Sequence, residues 1–294
     1  MNGVDALRVV DLLTVPAIVV VHTVCDDPTD HQRAVLSRVC GKAAAVVVMS
    51  QDARHRLSAQ YGVPREHIRV IPHGVAPGLI GMCDVRESTT GRTADTTPTL
   101  LTWGLLRPGK GIEWAIAALP LLRGSAAGAR YVVAGRTHPR VVEQEGETYR
   151  HRLAEHADRL GVADRVDFDD RFLPPEDLHL RIKHASCVVL PYDEPDQATS
   201  GVLVEALAAG VPVVATRFPH AVELLARGRG IVVPHRDPQA TADAISALLH
   251  DQPVTPVPVR PAGSPDVSWH AVAARYHRLA DDVMRTPAAL RDSR

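Results

Sequence analysis

Residues 187–216 read CVVLPYDEPDQATSGVLVEALAAGVPVVAT, and the rest of the chain is organised around them. The apolar run Cys187 to Leu190, ended by Pro191, has the length of a buried strand, and Val211 to Ala215 is a second. Between them Val202, Leu203, Ala206, Leu207 and Ala209 follow helical spacing. Gly210 supplies a C-terminal stop, and Thr199 and Ser200 supply capping hydroxyls. A strand, loop, helix, strand unit of this kind predicts a parallel α/β sheet with a ligand at the carboxyl ends of its strands. The polar loop before Gly201 places free N–H groups and the positive end of a helix dipole where a phosphate would be favoured. Glu205 lies about one turn into the helix. There it is either a carboxylate for a ribose hydroxyl pair or a solvated helix residue.

Glu205 followed by Ala-Leu-Ala-Ala-Gly-Val-Pro-Val-Val resembles the retaining glycosyltransferases of family 4, which have the GT-B fold. In that family an acid precedes the Glu by a fixed spacing, and here the acidic position falls on Gln197 and a usual Gly on Ser200. Gln exchanges hydrogen bonds with sugar hydroxyls but adds no negative charge beside a developing oxocarbenium ion. The resemblance implies that the N–H groups at Ser200 and Gly201 hold the donor diphosphate, that Gln197 and Thr199 lie at the sugar, and that Glu205 holds the ribose.

Length and charge set the bounds. At 294 residues the chain has room for two domains, and a formal net charge of -1 gives no footprint for nucleic acid. Of 33 basic residues only Lys42, Lys110 and Lys183 are lysines, so a retained Lys carries information: its compact ammonium suits a point contact to phosphate. Cys25, Cys40, Cys83 and Cys187 lack CxxC spacing, which indicates neither a zinc site nor a disulfide framework and fits a cytoplasmic location. No apolar run is long enough to span a bilayer, which leaves peripheral membrane contact open.

Toward the N-terminus, residues 1–14 read as the tail of a helix. Ile18 to Val21, Ala45 to Met49 and Ile68 to Ile71 read as short strands, with Ser50 capping a helix that closes at Gly62. The family's Gly-rich acceptor loop has no match, so residues 1–75 read as an N-terminal domain shortened at its start. His22, at a strand's carboxyl end, matches a family His that approaches the donor sugar. Ile-Pro-His-Gly-Val at 71–75 resembles the interdomain hinge or is a plain turn. Residues 76–98 are polar and aperiodic and read as a linker.

The second domain is expected over 99–250. Leu-Leu-Thr-Trp-Gly is a strand, and Leu-Leu-Arg-Pro-Gly-Lys-Gly at 105–111 is a glycine-rich turn. The family carries an Arg and a Lys on the donor diphosphate in this turn. Lys110 matches the Lys and Leu105 stands at the Arg position, so Arg107 is the candidate replacement, with Gly109 giving the backbone close approach. The combination with Thr-His-Pro at 137–139, Glu-Gly-Glu-Thr-Tyr-Arg and Phe-Pro-His-Ala-Val-Glu-Leu-Leu resembles one bacterial subgroup, which places His138 at the donor and Glu223 at the cleft wall. Residues 251–267 form a Pro-rich linker, and 268–285 a helix that crosses back to the first domain. Adjacent acids at Asp26 and Asp27 and at Asp169 and Asp170 read as solvated loops rather than a metal site.

The expectation is therefore an α/β protein of the GT-B type, two Rossmann-like domains facing a cleft with the N-terminal one incomplete. It implies a retaining hexosyltransferase with His22, Lys110, Gln197 and Glu205 catalytic, using a UDP- or GDP-linked sugar as substrate with no metal or other cofactor. The acceptor is unidentified: glycan, lipid-linked or small molecule. The rival expectation is a non-catalytic nucleotide-binding or partner-binding module.

Overall fold

The computed structural model describes residues 4–80, 97–226, 228, 230–250 and 266–285. The interior of the expected linker (81–96), most of the Pro-rich segment (251–265), the tail (286–294) and Cys83 lie outside the described residues. In chain order the elements are α1 (Val4–Leu12), β1 (Ile18–Val20), α2 (Asp30–Lys42), β2 (Ala45–Val48), α3 (Gln51–Tyr61), β3 (Ile68–Val70), β4 (Thr99–Trp103) and α4 (Ile112–Ala118). They continue with β5 (Arg130–Ala134), α5 (Pro139–Glu145), α6 (Thr148–Arg159), β6 (Val166–Asp169), α7 (Pro175–His184) and β7 (Cys187–Leu190). The chain closes through α8 (Gly201–Ala208), β8 (Val213–Thr216), α9 (Pro219–Leu225), β9 (Gly230–Val233), α10 (Pro238–Leu249) and α11 (Trp269–Arg285).

Local chemistry sets these limits. Thr29 and Gln32 close a capping box at the start of α2. Ser50 Oγ accepts from Ala53 N to start α3, which ends at Gly62 in the left-handed conformation. Asp237 caps α10 with Pro238 in its first turn. Gly210, at φ 69°, ends α8 with two reverse bonds, Gly210 N to Leu207 O and Val211 N to Ala206 O, which turn the chain into β8.

The chain divides into two compact units. The first holds residues up to Gly74, Asp196–Ser200, and the chain from Asp266. Its parallel sheet runs β1-β2-β3, with α2 and α3 packed through Cys40, Leu57 and Tyr61. On other side chains of the same strands, Val272, Leu279 and Val283 of α11 meet Ala45, Val47 and Ile71. Gly74 admits the Trp269 ring, which occupies the space that a Cβ would need.

The second unit is a six-stranded parallel sheet in the order β6-β5-β4-β7-β8-β9. Counted from β4 this is 3-2-1-4-5-6, the doubly wound order, whose switch point lies between β4 and β7. Its core runs from Leu100 and Ile116 through Tyr131 and Leu153 to Ile245.

Two boundaries differ from the sequence reading. Pro77–Leu79 form a turn of 3-10 helix with Leu79 fully buried and Gly78 against His179 of α7, so the start of the expected linker is docked on the second unit. Residues 196–200, expected in the second domain, group with the first unit. There Ala198 is buried beside Val21, Val24 and Leu57, and Asp196 pairs with Arg56.

Candidate functional site

At the switch point the turn after β4 holds three of the expected residues, Arg107, Gly109 and Lys110. Gly104, Gly109 and Gly111 have φ of 116°, 88° and 65°, values that side chains oppose. A Cβ at Gly111 would collide with the Pro191 carbonyl, so this glycine lets the turn close against the end of β7. Asp193 N donates to Gly109 O at 2.9 Å, tying the turn to the loop beyond Pro191. On the other flank, Leu106 N donates to Arg136 O and His138 N to Leu106 O, both at 2.8 Å. These bonds hold the expected residue His138 beside the turn. Its Nδ1 accepts from Arg140 N at 3.2 Å, a local cap that starts α5.

Lys110 Nζ sits 4.2 Å over the ring of Tyr192. Burial first, then the Arg107 charge, lower its pKa from 10.5 to about 8, against a smaller upward pull from Glu194. Tyr192 is itself fixed, stacked on Phe218 at 5.2 Å, with its carbonyl accepting from Thr216 Oγ1 at 2.6 Å. Lys110 also lines a small recess with Thr102, Trp103, Gly104, Leu106 and Val133. Leu105 is exposed at this turn. Arg107, the candidate replacement for the family's Arg, is half-buried and its guanidinium grips Glu194 through both terminal nitrogens.

Glu205 belongs to the same unit. Trp103 Nε1, at the end of β4, donates to Glu205 Oε2 at 3.2 Å. A buried indole N–H needs an acceptor, and this one orients the carboxylate. Gly201, at the start of α8, is half-buried in that unit.

Four expected residues are described in the first unit. His22 is exposed just past β1, between buried Val21 and Val24. Gln197 Nε2 donates to Thr199 O at 3.0 Å. Gln197 Oε1 and Thr199 Oγ1 are buried with no hydrogen-bond partner among the described residues, so Thr199 does not cap α8. Ser200 is buried. Their segment is pinned by Ser50 Oγ, which donates to Ala198 O at 3.1 Å, and by Arg56, which pairs with Asp52, Asp26 and Asp196. The structure thus brings Gly109, Lys110, Arg107, His138, Gly201 and Glu205 into one unit, and His22, Gln197, Thr199 and Ser200 into the other.

Sequence reasoning missed Trp103, Glu194 and Arg56. Trp103 alone left a signal, an indole at the end of a buried strand. Of the acids read as solvated loop residues, Asp26 is exposed, whereas Asp169 is buried at the end of β6. Asp26 pairs with Arg56, and Asp169 with Arg171 and Arg181, whose guanidinium groups hold its carboxyl well below the usual range. Burial pushes the Cys40 and Cys187 thiols up to about 12, far from thiolate chemistry. No helix among the described residues is long and apolar enough to cross a membrane.

Residues 97–251 match the family described as Glycosyl transferases group 1, and residues 2–78 match Glycosyltransferase Family 4. The D-inositol 3-phosphate glycosyltransferase of Corynebacterium glutamicum is 28% identical over 93% of this chain and 68% of its own length. A GDP-mannose-dependent alpha-(1-6)-phosphatidylinositol monomannoside mannosyltransferase of Mycobacterium tuberculosis is 28% identical over 75% of this chain and 56% of its own. The chain thus spans 56% to 68% of the length of these curated relatives. Among solved structures, Anabaena HepE in complex with UDP and glucose aligns with a TM-score of 0.75 at 20% identity, over 97% of this chain and 76% of its own. The sucrose-phosphate synthase of Thermosynechococcus elongatus aligns with a TM-score of 0.73 at 20% identity, over 96% and 71%.

Proposed function

Because the chain belongs to the glycosyl transferases of group 1 and has a fold of the GT-B type, we propose that it transfers a hexose from a UDP- or GDP-linked donor to an acceptor hydroxyl with retention of anomeric configuration. The observation that carries the reading is the pairing, at one topological switch point, of a cationic glycine turn with an oriented carboxylate: Lys110 after β4, and Glu205 held by Trp103. Lys110 meets the diphosphate. With Oε2 of Glu205 engaged by the indole, Oε1 is left to accept from a ribose hydroxyl.

Chemistry at the donor follows from those contacts. The bond from the anomeric carbon to the diphosphate oxygen breaks, and negative charge grows on that oxygen as an oxocarbenium-like centre forms. The Lys110 ammonium stabilises the leaving group without a resident metal or other cofactor. The acceptor oxygen attacks on the face the diphosphate leaves, giving up its proton to a leaving phosphate oxygen. The roles that the family resemblance gives His22 and Gln197 toward the sugar belong to the same proposal.

Anomeric proton NMR of UDP-glucose and GDP-mannose incubated with the chain and with inositol 3-phosphate, the acceptor class named for one relative, tests this. The expected result is consumption of one donor and a product, or slow hydrolysis, with the donor's own anomeric configuration. An inverted product contradicts retention. Binding of a donor with no consumption across acceptors selects the non-catalytic nucleotide-binding module.

A further inference from the structure

The ion pair at the turn after β4 has no place in the chemistry above. Arg107 Nη2 donates to Glu194 Oε2 at 2.7 Å and Nη1 to Oε1, joining residues 87 positions apart in a bidentate grip. Gly109 makes room for it: a Cβ there would fall 2.8 Å from Glu194 Oε1 and 3.1 Å from its Cγ. The neighbouring Asp193 is held twice, by its N–H on Gly109 O and by Arg236 Nε on its carboxylate at 2.7 Å. Glu194 is therefore laid across the turn by the space Gly109 leaves and by the anchoring of Asp193 beside it. The charged and titratable groups facing Lys110 are Arg107 on its own turn, and Glu194 and the Tyr192 ring on the loop after β7.

Two cations three residues apart in a half-buried turn repel each other, and each lowers the other's hold on a proton. Arg107 keeps its charge, so the cost falls on Lys110. We propose that Glu194 is a positioning residue for the anion-binding turn: it fixes the Arg107 guanidinium and offsets its charge, so that Lys110 remains an ammonium able to receive a diphosphate. The inference rests on the reading of this turn as the diphosphate site.

The sign of the effect follows from the facing charges. Burial and Arg107 lower the Lys110 pKa to about 8, and Glu194 is the group that opposes them. Glu194→Gln removes that opposition, so Lys110 titrates lower than in the wild type. Arg107→Gln removes the repulsion and moves Lys110 the other way. A diphosphate selects the ammonium form, so affinity for UDP or GDP falls as pH rises through the Lys110 pKa, and in Glu194→Gln the fall begins at lower pH.

The chain has three lysines, Lys42, Lys110 and Lys183, which makes the titration readable directly. Protein labelled with 13C at lysine is titrated by its ε-carbon resonances as wild type, Glu194→Gln and Arg107→Gln, and UDP and GDP affinities are measured across the same pH range. The expected result is a Lys110 midpoint lowered in Glu194→Gln and raised in Arg107→Gln, shifts of opposite sign that a general loosening of the turn does not produce. A midpoint in Glu194→Gln at or above the wild-type value overturns the inference. Opposite shifts in a protein that binds neither nucleotide leave Glu194's hold on Lys110 standing and overturn the diphosphate reading instead.

Discussion

The turn at Gly104–Gly111 and the segment Asp196–Ser200 both carry expected site residues, and they treat their polar groups in opposite ways. In the turn each charge is answered: Arg107 by Glu194, Lys110 by the Tyr192 ring, Glu205 nearby by the Trp103 indole. In the segment Ser50 holds the Ala198 carbonyl and Arg56 the Asp196 carboxylate, yet Gln197 Oε1 and Thr199 Oγ1 are buried without a hydrogen-bond partner among the described residues. The Arg107–Glu194 pair and the glycines hold the turn in place, while the Lys110 cation within it is disfavoured by burial. Unanswered buried oxygens cost stability, about 1–3 kcal/mol each, and such costs collect at functional positions.

Removing the central charge of the turn is the most severe way to test that contrast. Lys110→Ala is expected to reduce turnover of the nucleotide-sugar by about 10²–10³-fold, the usual loss of one preorganised charge on a leaving group, while the melting temperature holds or rises. The sign of the second effect comes from the lowered Lys110 pKa. A cation disfavoured by burial withholds stability at neutral pH, and the wild type recovers it as pH rises from about 8 toward 10.5. Melting curves of wild type and variant should therefore converge over that window.

Backbone closure is the next target. Gly111→Ala forces a side chain into the left-handed region and into the Pro191 carbonyl, and should cost about 3 kcal/mol, read from denaturant unfolding. A loss near zero would mean that the turn is not held closed by this approach. The smallest effect belongs to the segment. Thr199→Val replaces an unpartnered hydroxyl by a methyl of the same shape, and is expected to leave stability unchanged or raise it by up to about 1 kcal/mol, while turnover falls. Loss of stability in that variant would erase the contrast between the two regions.

Much of this was legible in order along the chain because it is written in local chemistry. Strand runs such as Cys187 to Leu190, the Ser50 cap and the Gly62 and Gly210 stops are set by residues within a turn of each other. Lys110 stood out because lysine is so rare here, and Glu205 because a helix start fixes its reach. What the sequence could not show is the choice of distant partners. Glu194 lies 87 residues from Arg107, Glu205 lies 102 from Trp103, and Asp196 lies 140 from Arg56. No periodicity encodes which of several acids a guanidinium will grip. The allegiance of residues 196–200 was hidden for the same reason: an acid, an alanine and a carbonyl find partners only once Arg56, Leu57 and Ser50 are in place.

The most direct test of the account is calorimetric titration of UDP and GDP into the wild-type chain, Lys110→Ala and Glu205→Ala at pH 7. The account predicts that one nucleotide binds the wild type and that each variant loses at least about tenfold in affinity, or about 1.4 kcal/mol. Wild-type affinity retained in both variants would contradict it.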